Sequence, residues 1–219
     1  MNTISQIAKL VKKEFKVEWR DKTIISSIFA YVVGAIYLVY LVFQGKITFN
    51  AWLSVFWIIV LFTALNAVYR TFIKEANEQF YYIKNVASVV VLINSKIIYN
   101  TITIFVLSIA VYFLMFIFFD NKINYPFYFV LTIFLVSLGF SSIFSLLSGI
   151  TAKTQNVILL FILSFPLVLP LMLLTVKLSF LCDFYTEIKD LYLHLMAVLL
   201  LDMIVIVLSN ILFPFIWKD

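Results

Sequence analysis

The sequence predicts an all-helical integral membrane protein with six transmembrane helices. Its 219 residues are 64% hydrophobic and only 12% charged, which is too apolar for a water-soluble domain of this length. Six apolar runs are long enough to cross a hydrocarbon core of about 30 Å as helices. The runs cover residues 23–43, 51–69, 97–119, 126–150, 157–176 and 192–217, and the first five lack Asp, Glu, Lys, Arg and His.

The apolar runs predict helices and not the strands of a barrel. Backbone amides inside lipid must be paired within the protein, so a spanning segment is a helix or part of a closed barrel. Barrel strands alternate in polarity over about ten residues, whereas these runs are apolar on every face. The chain contains no long linker or low-complexity tract, so we expect one transmembrane domain over residues 1–219.

Residues 1–22, which precede the first span, predict an amphipathic helix in the membrane interface. The apolar side chains recur at helical spacing, and Lys9, Lys12, Lys13 and Lys16 lie around the remainder of the helix. The alternative is an ordinary basic flank of the first span. The apolar positions are Ile4, Ile7, Ala8, Val11, Phe15 and Trp19.

The distribution of Lys and Arg predicts the orientation of the chain, because cytoplasmic loops carry the excess of these residues. With the N-terminus in the cytoplasm, twelve of the 16 lie on that side and four lie outside. We therefore expect both termini to lie in the cytoplasm. The net charge of +5 follows from this asymmetry and does not indicate nucleic-acid binding. The four outer residues are Lys46, Lys122, Lys177 and Lys189.

The connection between spans two and three, residues 70–85, predicts a short cytoplasmic amphipathic helix. Ala76, Phe80, Ile83 and Ala87 form one stripe at helical spacing. This helix either lies on the bilayer or docks on a cytoplasmic partner through aromatic anchors, and the residue pattern leaves both open. The candidate contact residues are Glu75, Glu78, Phe80, Tyr81, Ile83 and Lys84.

Three isolated residues have chemistry that is unusual for their positions. Asp202 is an acidic residue deep within the sixth span, where it either serves the substrate pathway or forms a structural polar pair. His194 is either an axial haem ligand or, as we favour, a hydrogen-bonded anchor at the outer interface. Cys182 is expected in an outer loop, where a membrane-impermeant thiol reagent would reach it.

Two patterns predict how the spans pack. Span four carries small residues at every fourth position, which allows close approach of another helix within the chain or across a dimer interface. These residues are Ser137, Ser141, Ser145 and Gly149. Pro166 and Pro170 each remove a backbone hydrogen bond and should kink span five.

Four segments carry a family resemblance: KEFKVEWRDK before the first span, RTFIKEANEQFYYIKNVASVVVLINSK after the second, ITAKTQN after the fourth and FPLVLPL in the fifth. They resemble the haem exporter protein B (CcmB) family, the permease subunit of the ABC transporter for cytochrome c maturation in the bacterial inner membrane. The order and spacing of the spans are similar to the family over nearly the whole chain. This chain has Asn77 and Val86–Ala87 where the family usually has a glycine before and a proline after the cytoplasmic helix.

The resemblance implies an ABC-2 exporter-type permease that works with a separate cytoplasmic ATPase, a CcmA-like subunit. The residues around Glu75–Lys84 would then form the coupling helix that contacts this ATPase. Further implied partners are CcmC-like and CcmD-like membrane proteins, a CcmE-like haem chaperone, and a second permease copy or another permease. ATP would bind the partner, since this chain has no GxxxxGK[ST] phosphate loop. Haem would be a substrate and not a resident cofactor, and export of a lipid, polysaccharide or drug is the alternative.

Overall fold

The computed structural model of the chain describes residues 3–20, 22–76, 88–119, 123–152, 157–183 and 188–216. Seven α-helices account for nearly all of these residues. Helices α2 to α7 each contain a segment long and apolar enough to cross a membrane, which confirms the six predicted spans. The helices are α1 (Thr3–Arg20), α2 (Lys22–Phe43), α3 (Phe49–Ala76), α4 (Val89–Phe118), α5 (Pro126–Ala152), α6 (Val157–Leu181) and α7 (Ile188–Ile216).

Several helices are longer than the apolar runs that predict them. Helix α3 continues to Ala76, past the expected end of its span at residue 69. Helix α4 begins at Val89 and not at residue 97, with the Ser88 side chain accepting a hydrogen bond from the Val91 backbone N–H at 3.4 Å. Lys96 is therefore two turns inside α4 and not in the loop before it. Of the connection over residues 70–85, in which a short cytoplasmic helix is predicted, residues 70–76 continue α3 and residues 77–85 lie outside the described residues.

Helix α5 is the central helix of the bundle. It packs against α3, α4, α6 and α7, and 78% of its spanning segment is buried, compared with 17% for α2. Residues 139–149 of α5 are all buried. Small side chains in this segment let neighbouring backbones approach closely, as in other membrane bundles.

The spans alternate in direction, so that the bundle has two distinct ends. At one end, Asn94 near the start of α4 pairs with Asn210 near the end of α7, with an Nδ2–Oδ1 distance of 2.7 Å. We call this the α1 end, because α1 packs on α4 and α2 there. At the far end, the Tyr125 backbone N–H donates to the Cys182 carbonyl at 3.0 Å, joining the start of α5 to the end of α6.

An aromatic cluster fills the far half of the bundle, between α3, α4 and α5. Phe56 is stacked on Trp52 with ring centroids 5.6 Å apart, and its ring lies 5.4 Å from that of Phe129. The Trp57 indole N–H donates to the Ser179 hydroxyl of α6 at 3.0 Å. Large apolar rings therefore hold the far half together, whereas the half near α1 contains the buried charged and polar groups described next.

Candidate functional site

Asp202 lies at the midpoint of α7 and its side chain is completely buried. Neither carboxyl oxygen has a hydrogen-bond partner among the residues that the structure describes. A charged side chain at the bilayer centre costs about 3 kcal/mol on insertion scales, and buried polar groups are normally hydrogen-bonded. An unpartnered carboxyl group in the middle of a span is therefore the strongest candidate for a functional group within the membrane.

The Asp202 carboxyl group fits because α5 presents a glycine opposite it. A Cβ atom built on Gly139 would overlap Oδ1 of Asp202 and would lie 2.6 Å from Cδ2 of Leu171. Gly139 belongs to α5 and Leu171 to α6, so the carboxyl group occupies the junction of α5, α6 and α7. A Cβ atom at position 139 would therefore require the Asp202 carboxyl group and the Leu171 side chain to shift.

Helices α5 and α7 stay close from Asp202 towards the α1 end. The Ser209 hydroxyl of α7 lies 3.4 Å from the Ser142 carbonyl oxygen of α5. Further towards the α1 end, the ring of Phe213 covers Gly149 so closely that a Cβ there would require the ring to shift. The two helices run parallel, because residue numbers rise together along both. Separation of α5 from α7 would open the junction that buries Asp202.

A second buried charged group lies near the α1 end. The ammonium group of Lys96 in α4 is 3.3 Å from a carboxylate oxygen of Glu14 in α1. The Lys96 side chain is only 1% exposed, and that of Glu14 is 13% exposed. Next to this ion pair, the rings of Phe15 and Tyr99 meet edge to face with centroids 4.9 Å apart. Helix α1 is thus attached to α4 by a buried ion pair and an aromatic contact.

Polar contacts continue from this ion pair into α5. The Asn100 amide of α4 donates to the Ser145 hydroxyl at 2.9 Å, and the Ser141 hydroxyl donates to the Ile97 carbonyl at 2.6 Å. A chain of contacts therefore runs from α1 through α4 to α5, which also packs on Asp202. These contacts connect α1 to the helix that packs on Asp202 at the centre of the bundle.

Comparison with protein families identifies the family to which this architecture belongs. A family model described as ABC-2 type transporter matches residues 5–178. The chain belongs to the ABC-2 type transporter family. Comparisons with curated proteins and with solved structures find no match. The matched residues run from α1 nearly to the end of α6, so Lys96 and Gly139 lie within them and Asp202 lies beyond.

Family membership establishes the general role of the chain. An ABC-2 domain is the membrane-spanning component of a transporter and is not itself catalytic. It implies a partner ATPase subunit. The six apolar helices make the permease a multi-pass membrane protein.

The residues expected to contact that ATPase are mostly outside the described part of the permease. Glu75 lies in the last turn of the α3 backbone helix. The other five candidates, Glu78, Phe80, Tyr81, Ile83 and Lys84, fall within residues 77–87, which the structure does not describe. The sequence-based interpretation of this segment stays a prediction.

The small residues of span four make contacts within the chain. Ser141 and Ser145 bond to α4, and Gly149 packs against Phe213 of α7. The Ser137 hydroxyl instead donates to the Ile133 carbonyl of its own helix at 2.7 Å. The stripe thus faces neighbouring helices of the same chain.

The two prolines of span five lie inside α6, which continues as a helix from Val157 to Leu181. Both Pro166 and Pro170 are exposed on the outside of the bundle. Neither proline is part of the Asp202 junction, to which α6 contributes Leu171.

The isolated histidine and cysteine have ordinary structural surroundings. The Nδ1 atom of His194 lies 2.8 Å from the Asp190 carbonyl oxygen of the preceding turn, as expected for a hydrogen-bonded anchor. No group of three His, Cys, Asp or Glu residues suited to a metal ion occurs in the described ranges.

The structure corrects the expectation that Cys182 has an accessible thiol. The side chain is fully buried, with its Sγ 3.9 Å from the Thr132 hydroxyl. Burial raises the pKa of the thiol to about 11, the hydrogen bond with Thr132 opposes this rise, and the Asp183 charge adds to it. A buried thiol with such a pKa reacts slowly, since the thiolate is the reactive form.

Sequence reasoning missed the Glu14–Lys96 pair and the Gly139 contact. Glu14 follows Ile7 by seven residues and Val11 by three, so it falls at the edge of the apolar side of the first helix. An acidic residue at that position was a usable signal for a buried basic partner. The pairing of Gly139 with Asp202 had no local signal, because the two residues meet only in the folded bundle.

Proposed function

We propose that the chain is the permease subunit of an export complex in a bacterial inner membrane, oriented with the α1 end in the cytoplasm. The observation that supports this orientation is the charge at that end. Helix α1 alone carries five basic residues, and Lys96 lies beside it. The positive-inside rule assigns such an end to the cytoplasm. The basic residues of α1 are Lys9, Lys12, Lys13, Lys16 and Arg20.

The partner ATPase binds the connection between α3 and α4. The apolar segment of α3 ends at Tyr69, whereas the helix continues to Ala76. At 1.5 Å per residue, this extension projects about 10 Å beyond the apolar segment. The extension therefore carries the backbone at Glu75 and Ala76 away from the hydrocarbon and towards a cytoplasmic subunit.

The transported cargo, in our proposal, is linked to cytochrome c maturation. Four segments and the span order resemble the haem exporter protein B family. The complex would deliver haem, or release a haem-carrying CcmE-like chaperone, at the outer face. CcmA-like, CcmC-like and CcmD-like proteins would be its partners. Haem would be carried by these partners or pass as substrate, and no residue of this chain is assigned as its ligand.

Asp202 is the group that we assign to the transport cycle. Its carboxyl oxygens have no partner among the described residues in this packed arrangement, so they remain available to donors that enter between α5 and α7. A purely structural carboxyl group would be expected to have a hydrogen bond in its resting position. We therefore propose that the junction opens during transport and that Asp202 then contacts water or substrate.

The experiment that tests the complex is purification of the tagged permease from its native membrane in mild detergent, with mass spectrometry and a haem spectrum of the eluate. Recovery of an ATPase together with cytochrome-maturation proteins is the expected result. An ATPase accompanied by none of them would reject the haem-linked function and support export of a lipid, polysaccharide or drug. Recovery of no ATPase would reject the coupled permease itself.

The proposed contact between the ATPase and the connection over residues 70–85 is tested in the same complex with Phe80→Asp. We expect the variant to reach the membrane and to lose the permease-dependent part of ATP hydrolysis, because a charge replaces an aromatic anchor. Phe80→Leu, which keeps an apolar side chain, is the matched control. Normal stimulated hydrolysis in Phe80→Asp would remove this face from the ATPase contact.

A further inference from the structure

The exposed surface of α1 is divided into a basic side and an apolar side. Lys9, Lys12, Lys16 and Arg20 are exposed, and their spacing of three, four and four residues keeps them on one face of the helix. The acidic residue Glu14 points the other way, towards Lys96 of α4. Glu18, the other acidic residue of α1, is half-buried, so the face that carries Lys9, Lys12, Lys16 and Arg20 is positive.

Part of the apolar side of α1 is left open by the bundle, although the ring of Phe15 also packs against Tyr99 of α4. Ile4 is 80% exposed and Phe15 is 40% exposed, and Ala8 between them is also exposed. These positions follow the same helical face, and Lys12 lies one turn from both Ala8 and Phe15. An exposed apolar strip thus adjoins the row of positive charges.

A bilayer containing anionic lipid matches both parts of this surface. Acyl chains would cover the apolar strip, and phosphate groups would meet the neighbouring cations, as in other amphipathic interfacial helices. An acidic protein surface would satisfy the cations alone and would leave Ile4 and Phe15 in water. The charge and the adjacent apolar strip together favour lipid.

We propose that α1 binds the headgroups of anionic phospholipids, with Lys12, Lys16 and Arg20 as the principal phosphate contacts. The ion pair of Glu14 with Lys96 joins the inward side of the same helix to α4. Lipid bound on the outward side of α1 would therefore influence the position of α4 through this ion pair. This inference does not depend on which substrate the permease exports.

A fluorescent probe attached at Ala8→Cys in the full-length chain tests the proposal. Position 8 is exposed on the apolar strip. The native Cys182 is buried, and its thiol pKa of about 11 leaves roughly one thiolate in a thousand at pH 8, so selective labelling is expected. The protein is placed in vesicles that contain brominated phosphatidylglycerol or brominated phosphatidylcholine, and quenching gives the relative binding constant of the two lipids.

We expect the anionic lipid to be preferred at least about tenfold at low salt, because each cation near the surface contributes roughly a fivefold preference. The preference should decline as salt rises from 0.01 M to 1 M, since the Debye length falls from about 30 Å to about 3 Å. Lys12→Gln/Lys16→Gln/Arg20→Gln should abolish most of it. The salt titration uses the unsubstituted residues 12, 16 and 20, so it tests the proposal even if the triple variant folds poorly.

The matched control is Lys46→Gln/Lys177→Gln/Lys189→Gln, which removes three exposed charges away from α1. This variant should retain the lipid preference. Equal quenching by the two lipids would overturn the proposal, as would equal losses in the two triple variants. Absence of quenching by either lipid would also overturn it, by showing that something other than lipid covers α1.

Discussion

Two buried ionisable groups in the described part of the permease, Lys96 and Asp202, differ in how they are accommodated. Lys96 has a carboxylate 3.3 Å away, supplied by α1. Asp202 is buried equally well, yet neither of its oxygens has a hydrogen-bond partner in the described part of the chain. Lys96 lies two turns from the start of its helix, whereas Asp202 lies at the midpoint of its own.

The contrast indicates different roles for the two groups. A paired buried charge fixes which helices contact one another, because removal of either partner leaves the other charge buried without an ion pair. An unpartnered group adds no such attachment, and its presence in the middle of a span is better explained by use during transport. We therefore expect the Glu14–Lys96 pair to govern stability and Asp202 to govern activity.

The largest stability effect should come from the ion pair. Glu14→Leu should lower the free energy of unfolding by about 3 kcal/mol, because it leaves the fully buried Lys96 ammonium group without this carboxylate. Lys96→Met should lower the free energy of unfolding by less, because Glu14, which would then lack Lys96, is partly exposed. The measurement is reversible unfolding in mixed micelles of SDS and a mild detergent.

The double variant Glu14→Leu/Lys96→Met is the control for this prediction. Replacing both charges by apolar groups should recover most of the loss, because no buried charge then remains unpaired. Additive losses in the double variant would show that the two side chains do not act as a pair.

The next effect concerns the glycine beside Asp202. Gly139→Ala should cost about 1–3 kcal/mol, because the added Cβ would overlap Oδ1 of Asp202 and crowd Leu171. Gly34→Ala in α2 is the matched control, since nothing lies within 4 Å of a Cβ there. The same unfolding measurement applies, and equal stability of the two variants would contradict the tight junction around Asp202.

The sequence predicts the six spans well because length and apolarity are local properties. Apolarity alone, however, places Lys96 just outside its span. A lysine interrupts an apolar run, and only knowledge of its ion-pair partner would show that it lies inside the helix. That partner, Glu14, lies far away in the chain and on a different helix. Asp202 can be found from its charge alone, but its lack of a hydrogen bond depends on Gly139 and Leu171, which only folding brings to it.

The smallest effect should come from the amide pair at the α1 end. Asn210→Ala removes the reciprocal contact with Asn94, whose two Nδ2–Oδ1 distances are 2.7 and 3.3 Å. Hydrogen bonds between membrane helices average about 0.6 kcal/mol, so the loss should be near that value. Asn66→Ala is the control, because the Asn66 amide bonds only within its own helix among the contacts described. A loss similar to that of Glu14→Leu would contradict the ranking.

The most direct test of the account is Asp202→Leu, measured for unfolding and for ATP hydrolysis in the purified complex with its ATPase. We predict that the free energy of unfolding stays unchanged or rises slightly, because an unpartnered carboxyl group is replaced by an apolar side chain. We also predict at least a tenfold fall in stimulated ATP hydrolysis. Asp190→Asn, at an exposed position on the same helix, should leave both values unchanged. Full hydrolysis in Asp202→Leu, or a large loss of stability, would contradict a transport role for this carboxyl group.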